Sequence, residues 1–131
     1  MLKMTSESVS TINIFLDING NSRILCQLKR HLSPRTVGLI TRSLPISGNA
    51  HYMDKSVVYM PTKINSGIER KKTDFNKGDI AYLPTNGSIC FYLGDILNGK
   101  PMTPIGRLVD NFENLNELKS GDILTIYSET A

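Results

Sequence analysis

Residues 77–94, K-G-D-I-A-Y-L-P-T-N-G-S-I-C-F-Y-L-G, limit the possible folds of this chain more than any other stretch. They read as a β-hairpin: Gly78-Asp79 opens it, residues 80–83 form one strand, Asn86-Gly87 turns, and residues 88–93 return. Asn-Gly suits the two positive-φ positions of a type I′ turn, whose twist matches that of the strands it joins. On the return strand Ile89, Phe91 and Leu93 share one face and Cys90 and Tyr92 the other, because side chains alternate. A strand apolar on both faces must be covered on both, which puts this hairpin at the centre of the fold.

The same signals recur along the chain. Ile12, Ile14, Leu16 and Ile18 alternate with other residues over 11–18, Asn19-Gly20 supplies a second turn, and residues 22–28 return with Ile24, Cys26 and Leu28 inward. Ser33-Pro34 marks a helix start, with Ser33 as N-cap and Pro34 at the first helical position. Val37, Ile40, Thr41 and Leu44 fall on one face of that helix, and Pro45 ends it. Short strands follow at residues 50–53 and 56–60. The polar, charged residues 61–77 hold their best strand candidate at 68–72, and a loop this long in a compact domain often carries function.

After the central hairpin come a loop over residues 95–103 and a strand over 104–109. Asp110-Asn111-Phe112-Glu113 resembles a capping box with Asp in place of Ser or Thr. It starts a helix that runs to about residue 120, with Phe112, Leu115 and Leu118 as its apolar residues. Gly121 stops that helix, and residues 123–127 form the last strand. About eight short strands and two helices, with no βαβ alternation, predict a mainly β fold: a closed barrel with helices over its open ends. Residues 1–10 are expected to be a flexible lead, and residues 11–131 a single domain.

Composition removes several function classes. No apolar run approaches the roughly 20 residues of a membrane span. The N-terminus lacks the apolar centre of a signal peptide, so a cytoplasmic location is expected. Cys26 and Cys90 sit in apolar strand patterns and read as small core residues. His31 and His51 have no Cys, His or acidic neighbour at ligand spacing, so neither a metal nor a cofactor is expected. No Gly-rich phosphate loop or Gly-x-Ser-x-Gly elbow is present, and no catalytic residue is assigned. Charge is uneven: residues 1–77 carry 12 Lys/Arg against 5 Asp/Glu, and residues 78–131 carry 3 against 7. Lys29, Arg30, Arg35 and Arg70-Lys71-Lys72 could form a basic face for an acidic partner. A nucleic-acid surface shows a stronger bias with interleaved aromatics, so nucleic acid is not the expected partner.

The element order resembles that of the cyclophilins, eight-stranded barrels capped by two helices. Ser22-Arg23-Ile24-Leu25 through Ser33-Pro34-Arg35-Thr36 is similar to the family's second strand and Pro-Lys-Thr helix start. Asn86-Gly87-Ser88 followed by Phe91 is similar to its Asn-Gly-Ser-Gln-Phe-Phe strand. Leu97-Asn98-Gly99-Lys100 looks like Leu-Asp-Gly-Lys, and Ile105-Gly106-Arg107-Leu108-Val109 like Phe-Gly-Lys-Val. The likeness is closer to the small prokaryotic and archaeal cyclophilin-like proteins of unassigned function. These share a Gly-Asp-Ile/Val-x-Tyr-x-Pro stretch, here residues 78–84.

The resemblance implies a barrel but not the family's chemistry. Cyclophilins weaken the proline C–N bond, whose rotation barrier is about 18–20 kcal/mol, with an arginine that hydrogen-bonds the proline nitrogen. The matching position is Val58, which cannot donate such a bond. The family's pocket phenylalanine, glutamine, tryptophan and histidine fall on Lys63, Ser66, Ile96 and Pro101, while Phe91 keeps its phenylalanine. The expectation is therefore a cyclophilin-like domain that binds an unidentified peptide or small molecule and lacks efficient prolyl isomerase activity. Its apolar groove is expected to lie near Phe91, lined by Tyr59, Met60, Tyr82, Phe91, Ile96, Leu97 and Met102. The alternatives are a divergent peptidyl-prolyl isomerase or other enzyme, and an interaction module that binds an acidic partner through the basic face.

Overall fold

The computed structural model describes residues 10–110 and 112–128. The expected N-terminal lead lies outside those residues except for Ser10. The alternation over residues 11–28 becomes an antiparallel pair, β1 (Thr11–Ile18) and β2 (Ser22–Lys29), whose buried residues are Ile14, Leu16, Ile18, Ile24, Cys26 and Leu28. Asn19 and Gly20 have φ of 56° and 75°, and the Asn21 N–H donates to the Ile18 carbonyl, as a type I′ turn requires.

Helix α1 (Pro34–Ser43) follows with Pro34 in its first turn and Thr36, Val37 and Ile40 buried. Then come β3 (Ile46–Asn49), β4 (His51–Asp54), β5 (Val57–Pro61), β6 (Asp79–Leu83), β7 (Ser88–Tyr92), β8 (Thr103–Leu108), a short 3-10 helix (Phe112–Glu117) and β9 (Ile123–Ser128). The sheet order is β3-β9-β1-β2-β8-β6-β7-β5-β4. Its two edges, β3 and β4, are consecutive in the chain and separated only by Ala50. A single extended run thus pairs with β9 through its first half and with β5 through its second, which bends the sheet into a nearly closed barrel. Gly48 sits at this seam, where a Cβ would stand 3.0 Å from the Pro61 carbonyl oxygen. The expected eight strands become nine because β3, with its polar and glycine residues, carries too little apolar alternation to read as a strand.

The hairpin β6–β7 is central, as its two apolar faces require. Ile80, Tyr82, Ile89 and Phe91 join the main core, which also holds the α1 residues Val37 and Ile40 and the buried Leu115 and Leu118. Ala81, Leu83, Cys90 and Tyr92 face the other way, into a second cluster. The turn, however, is not type I′. Pro84 has no N–H to continue the ladder, so Leu83 pairs with Ser88 across a four-residue loop in which only Gly87 has positive φ, 69°.

Three further expectations need correction. The second helix is a 3-10 turn closed by a bond from Leu118 N–H to Leu115 C=O rather than an α-helix, and its Asn-rich sequence is a weak helix former. Asn111 of the capping-box pattern and the Phe112 side chain lie outside the described positions. Residues 68–72 form no strand: the segment touches the sheet through isolated bridges, Lys72 to Met102 and Phe75 to Ile96. Ser33 is the N-cap residue of α1, as expected, but its side chain makes no capping bond: its hydroxyl is shared between the Leu32 and Pro104 carbonyls, each at 2.7 Å.

Glu69 caps α1 from across the chain. Its carboxylate accepts from the backbone N–H groups of Arg35 and Thr36 at 2.9 and 2.8 Å and from the Thr36 hydroxyl at 2.8 Å. Partial burial pushes its pKa up, but these hydrogen bonds outweigh that and hold it below the ordinary glutamate value. A depressed folded pKa contributes stability that is present above the unfolded value and lost as pH falls through the folded one. Glu69→Ala should therefore cost about 1 kcal/mol at neutral pH, in the range of N-cap deletions. Urea melts should show the gap to wild type narrowing on acidification, and a gap independent of pH would contradict the cap.

Candidate functional site

Residues 62–66 run as a strap against the loop between β6 and β7 and the first turn of α1, held by side chains and one bond from Thr62 N–H to the Gly87 carbonyl rather than by a strand ladder. The buried Tyr82 hydroxyl donates to the Ile64 carbonyl at 2.6 Å and accepts from the Ser66 N–H at 3.3 Å. The Thr62 hydroxyl donates to the Gly87 carbonyl, and a Cβ at Gly87 would stand 2.7 Å from the Ile64 oxygen, so the glycine lets the strap lie this close. On the helix side, the Thr36 and Ser66 hydroxyls are 2.9 Å apart, and Arg35 donates through Nε to Ser66 C=O and through Nη2 to Ile68 C=O.

Between strap, helix and seam lies an open cleft of about 690 Å³. Leu39 of α1, Pro45 and Ile46 before and in β3, Pro61 at the end of β5 and Ile64 of the strap supply its apolar surface. Ser43, Ser47, Thr62 and Asn65 offer hydroxyl and amide groups, and Lys63 is the one charged side chain in the lining. No carboxylate, imidazole or thiol lines the cleft, so it holds no acid–base pair.

The seven residues expected to line one groove are divided by the sheet. Met60, Tyr82 and Phe91 point into the barrel core, each at most 1% exposed. Tyr59, Ile96 and Met102 pack on the outer face with the second cluster, and Leu97 stands 76% exposed on its loop. Strand geometry explains the split, since Tyr59 and Met60 are neighbours in β5 and must face opposite sides. The outer face is itself sealed by Phe75, which stacks on Tyr92 at 4.5 Å, while the Tyr92 hydroxyl donates to the Met102 sulfur. Phe75 was missed by sequence reasoning, although it is the lone aromatic residue of the segment 61–77.

Other candidates are accounted for by packing. Cys26 and Cys90 are free and buried, and burial pushes both thiols up to about 12, far from the thiolate a nucleophile needs. His51 stacks on Tyr59 at 5.3 Å. Among the described residues no group of three or more His, Cys, Asp or Glu could hold a metal ion, and no helix is long and apolar enough to cross a membrane.

The profile of the cyclophilin-like family matches residues 12–127, nearly the whole described barrel. The chain belongs to the cyclophilin-like family. Among solved structures, its fold is similar to the solution structure of the hypothetical protein AF2241 from Archaeoglobus fulgidus. The TM-score there is 0.74 at 21% identity, with 95% of this chain and 99% of that one covered. It is also similar to the structure of McbB in complex with tryptophan, at a TM-score of 0.75 and 13% identity. That alignment covers 90% of this chain but 45% of the other, so this chain spans less than half of it. No curated protein matches it by sequence.

In this cyclophilin-like barrel Val58, the position that the resemblance sets against the cyclophilin arginine, is fully buried and pairs with Tyr52 on one side and Phe91 on the other. Phe91 is 1% exposed and fills the interior beside it. Phe91→Ala should therefore cost about 3–5 kcal/mol in denaturant melts, as for a sealed core ring. Leu97→Ala, on the exposed loop, should stay within about 0.5 kcal/mol of wild type. A loss at Phe91 of about 1–2 kcal/mol would instead mean that part of the ring already faces solvent.

Proposed function

We propose that this cyclophilin-like domain binds a small molecule or short peptide in the cleft between α1, the seam and the strap, and that it lacks efficient prolyl isomerase activity. The observation that carries the reading is the contrast between surfaces. The interior and the outer face around Tyr92 are filled, while the strap cleft stays open at about 690 Å³, within the roughly 300–1,000 Å³ of small-molecule sites. Its apolar walls supply contact area, and its hydroxyl and amide groups supply orientation. Without a carboxylate or imidazole in the lining to activate its hydroxyls, the cleft is suited to holding a ligand rather than transforming it. Lys63 at the rim favours a ligand with an anionic group. A protein of this fold is known in complex with tryptophan, which puts aromatic amino acids and short aromatic peptides first among the probes.

The isomerase part rests on Val58, whose buried aliphatic side chain has no hydrogen to donate to a proline nitrogen. Adding the protein to a proline-containing peptide should leave cis–trans exchange at its uncatalysed rate, tens to hundreds of seconds. Tryptophan and aromatic dipeptides should shift the amide resonances of residues 39–47 and 61–65. Ser43→Trp, which places a ring in the cleft mouth from an exposed position, should weaken that binding by about tenfold or more. Rate acceleration of about a hundredfold, or shifts confined to β7, would contradict the proposal.

A further inference from the structure

A second, separate depression lies on the far side of the strap segment, where residues 68–71 face the loop after β6 and residues 100–102. It is small, about 210 Å³, and its floor is apolar: Leu83 and Met102, each 2% exposed, with Pro84 and Pro101 at the sides. Ile68, 59% exposed, stands at its edge. The charged groups that line it are all cations, Arg70, Lys71 and Lys100. Among the described residues the recorded ion pair is Arg107 with Asp79, so none of these three is neutralised by a carboxylate within 4.0 Å.

The cations are not scattered on a mobile surface. Arg70 Nη1 donates to the Leu32 carbonyl, and the Arg70 carbonyl accepts from the Thr103 hydroxyl at 2.7 Å. Lys72 and Met102 exchange two backbone hydrogen bonds of 2.8 and 2.9 Å, which fix the wall carrying Lys71 to the floor. Beyond Arg70 and Lys71 lies another depression, of about 280 Å³, bounded by Leu32, Lys72 and Pro104. The two cations therefore form a ridge between an apolar pocket and a second, more basic depression.

We infer that this pocket binds a small monocarboxylate with a compact apolar body, such as a single ring on a short chain. The body occupies the floor of Leu83 and Met102, and the carboxylate is held on the ridge by Arg70 and Lys71, with Lys100 facing it. Size and charge both select this class. An apolar cavity of about 150 Å³ takes up benzene, so the larger pocket here admits a ring and a short linker. A fixed guanidinium is suited to a planar carboxylate, and an amine at the same place would meet three like charges. This site does not depend on the strap cleft, from which it shares no lining residue.

The test is an isosteric series on the isotope-labelled protein: 3-phenylpropanoate, 3-phenylpropanol and 3-phenylpropylamine, followed by amide shifts. The acid should shift residues 68–72, 84–86 and 100–102 and bind about tenfold tighter than the alcohol, with the amine weakest. Lys71→Gln combined with Lys100→Gln, which leaves Arg70 as the sole cation, should cut the acid's advantage over the alcohol to about threefold or less without changing the melting temperature, since both side chains are exposed. Thr85→Trp should plug the pocket against both. Equal binding of acid and alcohol, shifts at residues 39–47 instead, or no binding at millimolar acid would each overturn the inference. So would a short RNA or heparin that displaces the acid and is itself released steeply by salt, because that would mark a polyanion surface.

Discussion

Ala50 is where the sheet becomes a barrel. Its N–H donates to the Asp122 carbonyl and its carbonyl accepts from the Gly121 N–H, so it is held to the residues that lead into β9 just before the chain crosses to β5. Both edges of the sheet belong to one covalent run, which limits the unpaired backbone rows to two short half-strands. The cost is steric: the seam must bring β3 against the end of β5, and Gly48 leaves the room for it. Closure also decides where function can reside. A small closed barrel is filled by its own side chains, and here Leu16, Ile24, Met60, Tyr82 and Phe91 fill it.

What remains for chemistry is the outside, and the outside is organised by a segment with no secondary structure. Residues 62–77 carry their backbone groups to Tyr82, Arg35, Thr103 and the isolated bridges at Lys72 and Phe75. The segment separates two depressions of different character, one large with hydroxyl and amide groups, the other small, apolar and cationic. Tyr82 connects this surface to the core: its ring packs inside the barrel while its hydroxyl holds the strap. Glu69 does the same for the helix, joining the segment to the first turn of α1.

The parts of the fold that were legible in the sequence are those set by local alternation and turn chemistry. β1, β2, β7 and α1 follow from apolar spacing, Asn19-Gly20 and Ser33-Pro34. The rest was hidden for identifiable reasons. β3 reads as polar because its partner β9 and the seam, not its own side chains, hold it in place. The cap of α1 lies at Glu69, more than thirty residues from the helix start, and no local pattern announces a partner at that distance. Asn86-Gly87 carries the same dipeptide as Asn19-Gly20, yet Pro84 moves the turn into a longer loop. For the site, Tyr82 and Met102 could be picked out by residue type, but which face each served depended on pairing register. Phe75, which seals the outer face, pairs with a residue on another loop.

The closed seam can be tested without any ligand by native-state amide hydrogen exchange. If the run through Ala50 closes the barrel, the amides of Ala50 and Gly121 should exchange with protection close to that of the β1–β2 core, opening only with global unfolding. Rapid exchange at Ala50 and Gly121, while β1, β2 and β7 stay protected, would mean that the seam opens on its own. The barrel would then be an open sheet, and its interior would be accessible to ligands after all.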